Sequence, residues 1–431
     1  MLQDIFSHNE FKTLSNQQQQ VIEAIEVGNN VLVTGGAGTG KSHLLQYLKR
    51  HYTKYGLAVT AATGIAAVNI SGATIHSWAG IGLANMPLDQ IIRNLFSSKF
   101  NKVRRKIKLT NILAIDEISM ISAELLEILD GVFQAVRENK KPMGGMQILL
   151  FGDFLQLPPI AKYDQKTNFC FKSKIWENLN LQSFNLNEIF RQNDEKFIKI
   201  LNNLRFGILE EDDIEHLKSR INSEDKNKSI RPTILTTHNY KADQINESEL
   251  KKIPREEKTF QANYFGDDRK IEFLQKNCMA LANLKLKVGA QVMMIKNTYQ
   301  KEGIINGSLG IIKDFSQKKY YPIVEFSNGK ILTINPEEWL MERFDEEKKD
   351  VIIEAGLTQI PLILSWAITI HKSQGLTLDK ISCDLSDVFS EGQAYVALSR
   401  ARNLEGVFIK SINFNKIIAN EDAAEFYRKM Q

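Results

Sequence analysis

Asn30-Val31-Leu32-Val33-Thr34-Gly35-Gly36-Ala37-Gly38-Thr39-Gly40-Lys41-Ser42 is the stretch whose reading decides the fold. Its first five residues form a short apolar run with the length of a buried strand. The run stops on glycines, and Leu44, Leu45 and Leu48 beyond them recur at helical spacing. Gly35 to Ser42 satisfies G-x-x-x-x-G-K-S/T, and strand–loop–helix is the context that gives that pattern meaning. Glycines let the backbone wrap closely round phosphate groups, with N–H groups converging at a helix N-terminus that favours anions. Gly36, Ala37, Gly38, Thr39 and Gly40 would line such a loop. Lys41 would reach the β- and γ-phosphates of ATP, and the Ser42 hydroxyl would bind Mg²⁺.

Working outward, Ser15 precedes Val21, Ile22, Ala24 and Ile25 at helical spacing and is placed as an N-cap. Apolar runs recur at Leu57 to Ala62, Ile112 to Ile115, Gln147 to Phe151 and Ser183 to Leu186, with a helical pattern from Ala123 to Glu138 among them. Such alternation predicts an α/β fold with a parallel sheet covered on both faces. Leu113-Ala114-Ile115-Asp116-Glu117 is a strand ending in two carboxylates. Mg²⁺ takes oxygen ligands, so Asp116 is the candidate metal partner and Glu117 the candidate that activates water. Gln156, at the carboxyl end of another apolar run, is a candidate γ-phosphate contact. Arg191, Arg400 and Arg402 are candidate transition-state cations, a role that requires a second lobe.

After Gln192 a charged helical stretch runs to about Lys228, followed by the strand-like Thr233 to Thr237. Residues 297–356 carry short alternating runs split by Asn306-Gly307 and Asn328-Gly329, which predict hairpins of a small antiparallel sheet. The α/β pattern returns from Leu362. A length of 431 residues exceeds one ordinary core. With 43% hydrophobic and 25% charged residues the composition is that of a globular protein. The net charge of +4 permits a polyanionic partner without demanding one. Cys170, Cys278 and Cys383 lie far apart, which argues against a disulfide framework or zinc site. Met1 to Phe6 has no signal-peptide character, and no run of about 18 apolar residues exists. A cytoplasmic location is expected, nucleoid-associated if the source is prokaryotic.

The ordered blocks resemble those of the Pif-type (petite integration frequency) DNA helicases of superfamily one, relatives of RecD and Dda. Leu14-Ser15-Asn16-Gln17-Gln18 resembles their Q-motif. Thr63 to Ala67 and Gly72 to Ser77 resemble the first DNA-contacting blocks. Asp116 to Met120, Gly152 to Pro159 and Asn187 to Gln192 match the second, third and fourth motifs. Trp366 to Gly375 resembles the fifth and Tyr395 to Arg402 the sixth. The family's stretch between the second and third motifs corresponds to Leu129 to Gly145, with Arg137 and Gly144-Gly145 matching and Met143 where a phenylalanine is usual. No long N-terminal extension precedes Leu14, which points to a bare motor core of prokaryotic or viral source.

The resemblance implies two RecA-like P-loop lobes with parallel sheets and ATP between them. The first lobe would comprise residues 1–63 and 107–180 with a small wedge insert at 64–106. The second would comprise 181–297 and 357–431 with an SH3-like β insert at 298–356. It places Gln18 on adenine, Gly375 on the nucleotide, and the arginine-finger role on Arg400 with Arg191 assisting. DNA contacts fall to Thr63, His76, Thr237, His238, Asn239, Thr369, His371 and Lys372. Trp78, Phe96 and Trp366 are stacking candidates, with burial in the core as their ordinary fate, and the basic run Lys99 to Lys108 is a candidate phosphate contact. The implied activity is 5′ to 3′ translocation on single-stranded DNA by a chain monomeric in solution. Forked duplexes, RNA–DNA hybrids and G-quadruplexes are the family's substrates. The alternative is an ATP-dependent DNA-binding switch that does not unwind. A small-molecule kinase fits neither the length nor Asp116-Glu117.

Overall fold

The computed structural model describes residues 10–159, 168–225, 229–345, 350–386 and 390–430. The Met1–Phe6 start lies outside them. The chain divides into two units: Met1–Phe190 with Met341–Glu354 and Phe426–Gln431, and Arg191–Leu340 with Ala355–Glu425.

In the first unit, helix α1 (Asn16–Glu26) opens on a capping box in which Ser15 and Gln18 bond each other's backbone amides. Strands β1 (Val31–Gly35), β2 (Leu57–Ala61), β3 (Ala73–Thr74), β4 (Ile112–Asp116), β5 (Gln147–Phe151) and β6 (Gln182–Leu186) form one sheet in the order β3-β2-β4-β5-β1-β6. Every pairing in it is parallel. All five residues of β1 and of β4 are buried, as strands covered on both faces require. Helix α2 (Lys41–Tyr52) packs Leu44, Leu45 and Leu48 inward. Because β1 lies between β5 and β6, strands remote from it in sequence, its carboxyl end meets loops from distant parts of the chain.

Residues of the expected wedge form α3 (Gly64–Asn69), α4 (Ile75–Ala79), α5 (Leu88–Leu95) and α6 (Asn101–Leu109), but also β3, which joins the first sheet beside β2. Helix α7 (Ala123–Arg137) ends on Arg137. The Arg137 guanidinium donates to the carbonyls of Gly144 (2.8 Å), Ile107 (2.8 Å), Lys108 (3.1 Å) and Thr110 (2.7 Å), tying the end of α6 to α7. Met143, buried with a positive φ of 51°, donates its amide to Asp130 Oδ1 at 2.6 Å.

In the second unit, β7 (Thr233–Thr236) is followed by α8 (Asn239–Lys252), β8 (Lys258–Gln261), β9 (Asn263–Gly266), β10 (Asn283–Leu286) and β11 (Gln291–Met294). Next come β12 (Leu309–Phe315), β13 (Pro322–Phe326), β14 (Ile331–Thr333), β15 (Glu337–Asp345) and β16 (Asp350–Gln359), whose residues 341–354 fall in the first unit, and β17 (Leu362–Leu364). Last are β18 (Ala367–Thr369), β19 (Ile381–Leu385), α9 (Gln393–Leu398), β20 (Val407–Ile412) and α10 (Glu421–Met430). A second parallel sheet runs β18-β7-β19-β20. The antiparallel sheet β14-β13-β12-β11-β17 closes over Val292, Met294, Ile312, Val324 and Phe326.

The structure divides the chain differently from the expectation in four places. The first lobe extends past residue 180, because Gln182–Leu186 pairs with β1 along its whole length. The β insert starts before residue 298, because β11 is a central strand of its sheet. Met341–Glu354 belongs with the first unit, where Glu342 meets Lys49 Nζ at 2.7 Å. The last turn of α10 also belongs there rather than to the second lobe.

The two asparagine–glycine pairs behave differently. Asn328-Gly329 turns β13 into β14, with Phe326 N–H donating to Lys330 O at 2.8 Å. Asn306-Gly307 also forms a turn, Ser308 N–H donating to Ile305 O at 2.9 Å, but it ends the long connection from β11 to β12 rather than making a two-residue hairpin. Gly307 (φ +101°) lies so close to the segment just after the fifth motif that an added Cβ would stand 2.2 Å from Thr377 O.

Candidate nucleotide and nucleic-acid sites

The phosphate loop bends at Gly38 and Gly40, both at φ +85°, values that favour glycine. Lys41 Nζ donates to Gly35 O (2.7 Å) and Gly36 O (2.9 Å), which sets its charge at the centre of the loop. Thr39 Oγ1 donates to Gly36 O at 3.0 Å, and Ser42 is exposed on the first turn of α2. Gln18 is buried, with Oε1 accepting from Ser15 N (3.0 Å) and Nε2 donating to Gly40 O (3.3 Å). Its amide is therefore engaged at both ends, bracing the loop.

Asp116 ends β4, buried, and its carboxylate accepts the Glu117 amide at 2.9 Å. Burial pushes its pKa up to about 6, opposed by that hydrogen bond and by the Lys41 charge. A buried carboxylate that feels a lysine and has lone pairs to spare is a suitable ligand for a hard divalent cation. Glu117 sits at φ +55°, a left-handed conformation that a non-glycine residue adopts at a cost. Behind this turn Gly152 leaves room for the Ile118 amide, 2.9 Å from where a Cβ would stand. Gln156, buried, donates to Asp153 Oδ2 at 3.2 Å.

The second unit assembles its own cluster at the carboxyl side of its parallel sheet. Arg191 donates to Thr377 Oγ1 (3.1 Å), Ser399 O (3.2 Å) and Gly375 O (3.5 Å). Arg400, almost fully buried, donates to Val396 O (2.8 Å), Ser399 Oγ (2.8 Å) and Ser373 O (3.5 Å). Burial pulls the Arg191 pKa down to about 10, which leaves it cationic at neutral pH. Motifs four and six thus meet at Ser399, and motif five joins them through the Gly375 and Ser373 carbonyls, with Gly375 at φ +82°. Arg402 instead pairs with Asp379 at 3.0 Å.

The nucleic-acid candidates fall into two groups. Parallel pairing of β7 and β18 brings Thr369 Oγ1 to Asn239 Oδ1 at 3.2 Å, next to the Lys372 amide at 3.2 Å. Thr237, bonded to His238 Nδ1 at 2.8 Å, exposed His238 and exposed His371 belong to the same rim. In the first unit Thr63 caps α3 and His76 lies half-buried on α4, its imidazole held below the ordinary pKa by desolvation. Trp78 and Trp366 are core residues, Trp78 packing edge-on against Phe133 at 5.8 Å. Phe96 is 50% exposed beneath Arg104. One residue the sequence reading passed over is Phe190, 54% exposed, whose amide donates to Gly38 O at 2.9 Å. An open aromatic face beside the phosphate loop suits a flat base. Its position just before Arg191 was the available signal.

Fold and sites together define a P-loop protein of two RecA-like lobes, one with the phosphate loop and one with an arginine cluster. A PIF1-like helicase model matches residues 13–215, and a model of the DNA helicase Pif1 2B domain matches residues 271–315. The chain belongs to the PIF1-like helicase family. It is 38% identical over 419 residues to the ATP-dependent DNA helicase PIF1 of Xenopus laevis, covering 97% of this chain and 64% of that one. The chain thus spans less than two thirds of the length of that relative. Pif1 from Bacteroides sp in complex with ADP-AlF4 superposes with a TM-score of 0.85 at 32% identity, covering 96% of each chain. Bacteroides Pif1 in complex with ADP-AlF3 and ssDNA is 31% identical, with a TM-score of 0.63 and 97% of each chain covered.

Proposed function

We propose that this chain is an ATP-dependent DNA helicase that moves 5′ to 3′ along single-stranded DNA and separates a forked duplex ahead of it. The supporting observation is the Arg191–Ser399–Arg400 cluster on a second parallel sheet, which a simple nucleotide switch does not need. The relatives solved with nucleotide and with ssDNA support the same reading, and polarity follows the family resemblance alone. G-quadruplexes and RNA–DNA hybrids are further proposed substrates.

In the proposed reaction Lys41 moves from the Gly35 and Gly36 carbonyls to the β- and γ-phosphate oxygens. Ser42 and Asp116 would hold a Mg²⁺ ion, which when bound neutralises phosphate charge. Glu117 orients a water and takes its proton as the water oxygen bonds to Pγ and the β–γ bridging bond breaks. Gln156 contacts the γ-phosphate, while Arg400, assisted by Arg191, offsets the charge that develops. Gln18 and Phe190 flank the base. Thr63, His76, Thr237, His238, Asn239, Thr369, His371 and Lys372 hold the strand.

Strand displacement on duplexes with either a 5′ or a 3′ tail tests the proposal. Displacement from 5′ tails only, dependent on ATP, is expected. Displacement confined to 3′ tails would overturn the polarity. ATP-modulated DNA binding without displacement from either would replace the motor by the switch.

A further inference from the structure

The phosphate-loop strand and the loop bearing Gln156 share a partner from the far end of the chain. Tyr427, on the last turn of α10, is buried with its hydroxyl against Thr34 Oγ1, immediately before the phosphate loop. The same oxygen accepts the Phe154 amide at 3.1 Å and donates to Asp153 Oδ1 at 3.1 Å. A phenol has one proton and two acceptor sites. With the phenol proton donated to Asp153 Oδ1, the Thr34 hydroxyl must be the donor to Tyr427, and the phenol is saturated. Asp153 Oδ1 also accepts Leu155 N–H (3.2 Å), and its Oδ2 holds Gln156 Nε2 (3.2 Å). The chain of bonds runs Thr34, Tyr427, Asp153, Gln156.

The neighbouring residue fixes the helix end in place. Phe426 packs edge-on against Phe154 (5.1 Å between ring centres) and Trp176 (5.9 Å), and stacks on Phe171 at 4.6 Å. Phe154 itself meets Phe169 at 5.8 Å and Phe171 at 4.9 Å. This aromatic cluster anchors Phe426, and with it the adjacent Tyr427, against the segment that carries Phe154.

We propose that Tyr427 is a positioning residue for ATP hydrolysis, its hydroxyl fixing Asp153, and through it Gln156, in register with the strand that carries the phosphate loop. This role rests on the hydrolysis reading above. Tyr427→Phe keeps the ring and deletes the bonds. DNA-stimulated ATPase of the full chain should then lose about tenfold in kcat, with KM for ATP and affinity for a fluorescent non-hydrolysable ATP analogue changed less than about twofold. Titration with the analogue counts folded sites, so misfolding registers as fewer sites rather than slower turnover per site. Combined with Gln156→Ala, Tyr427→Phe should cause no further loss, because both act on one contact. Unchanged kcat in Tyr427→Phe, or losses that multiply in the double variant, would overturn the positioning role alone. An inactive wild-type chain would refute the hydrolysis reading and this role with it.

Discussion

Lys41 braces its own loop and is the residue proposed to reach the ATP phosphates. Its two bonds to Gly35 and Gly36 carbonyls hold the ammonium against the loop backbone. Those bonds are short-range, so Lys41→Ala should leave β1 and α2 standing. Turnover of ATP should fall by at least ~100-fold, the scale of losing one preorganised transition-state contact. Single-stranded DNA affinity should persist, because the proposed DNA contacts lie elsewhere. Steady-state ATPase and fluorescence anisotropy on one preparation check both halves, and retained turnover would remove Lys41 from the site. The Asp116-Glu117 turn works by a similar economy. The carboxylate and the strained φ of Glu117 were invisible as geometry in the sequence, yet their residue types and place after an apolar run were legible.

At the scale of elements, glycines with the same backbone sign have unequal consequences. Gly307 and Gly329 both have positive φ, +101° and +80°, but only Gly307 approaches another backbone, with Gly329 facing open space. Gly329→Ala should cost about 1–2 kcal/mol, the ordinary left-handed penalty for a residue with a Cβ. Gly307→Ala adds a collision with Thr377 O, so it should cost ~3 kcal/mol or more. Denaturant unfolding of both variants tests this, and equal losses would show that the Gly307 approach relaxes freely. The sequence marked both pairs as hairpins because Asn-Gly signals positive φ, whatever the chain then does with it. The segment Gln182–Leu186 is a similar case. It was legible as a strand, but its allegiance to the first sheet came from pairing with β1, which no local pattern specifies.

For the whole molecule, a net charge of only +4 gives no broad attraction to a polyanion. DNA affinity should therefore come from local contacts at the β7 and β18 rim and near Thr63 and His76, with a finite salt dependence. If Lys372 pairs with one phosphate, Lys372→Ala should reduce the slope of log K against log salt by about 0.7 for single-stranded DNA. Binding isotherms across a salt series measure it, and an unaltered slope would remove Lys372 from the phosphate contacts.

What the sequence determined by itself were the features whose partners are near in the chain. The strand–glycine–lysine–helix unit, the Ser15–Gln18 box and the order of the motifs need only adjacent residues and residue chemistry to be read. Tertiary structure alone decided which distant groups share a hydrogen bond. Thr34 and Tyr427 lie 393 residues apart, and no periodicity or motif records such a pairing. A buried hydroxyl's partners are chosen by the packing that excludes water around it, and that packing exists only once the chain has folded.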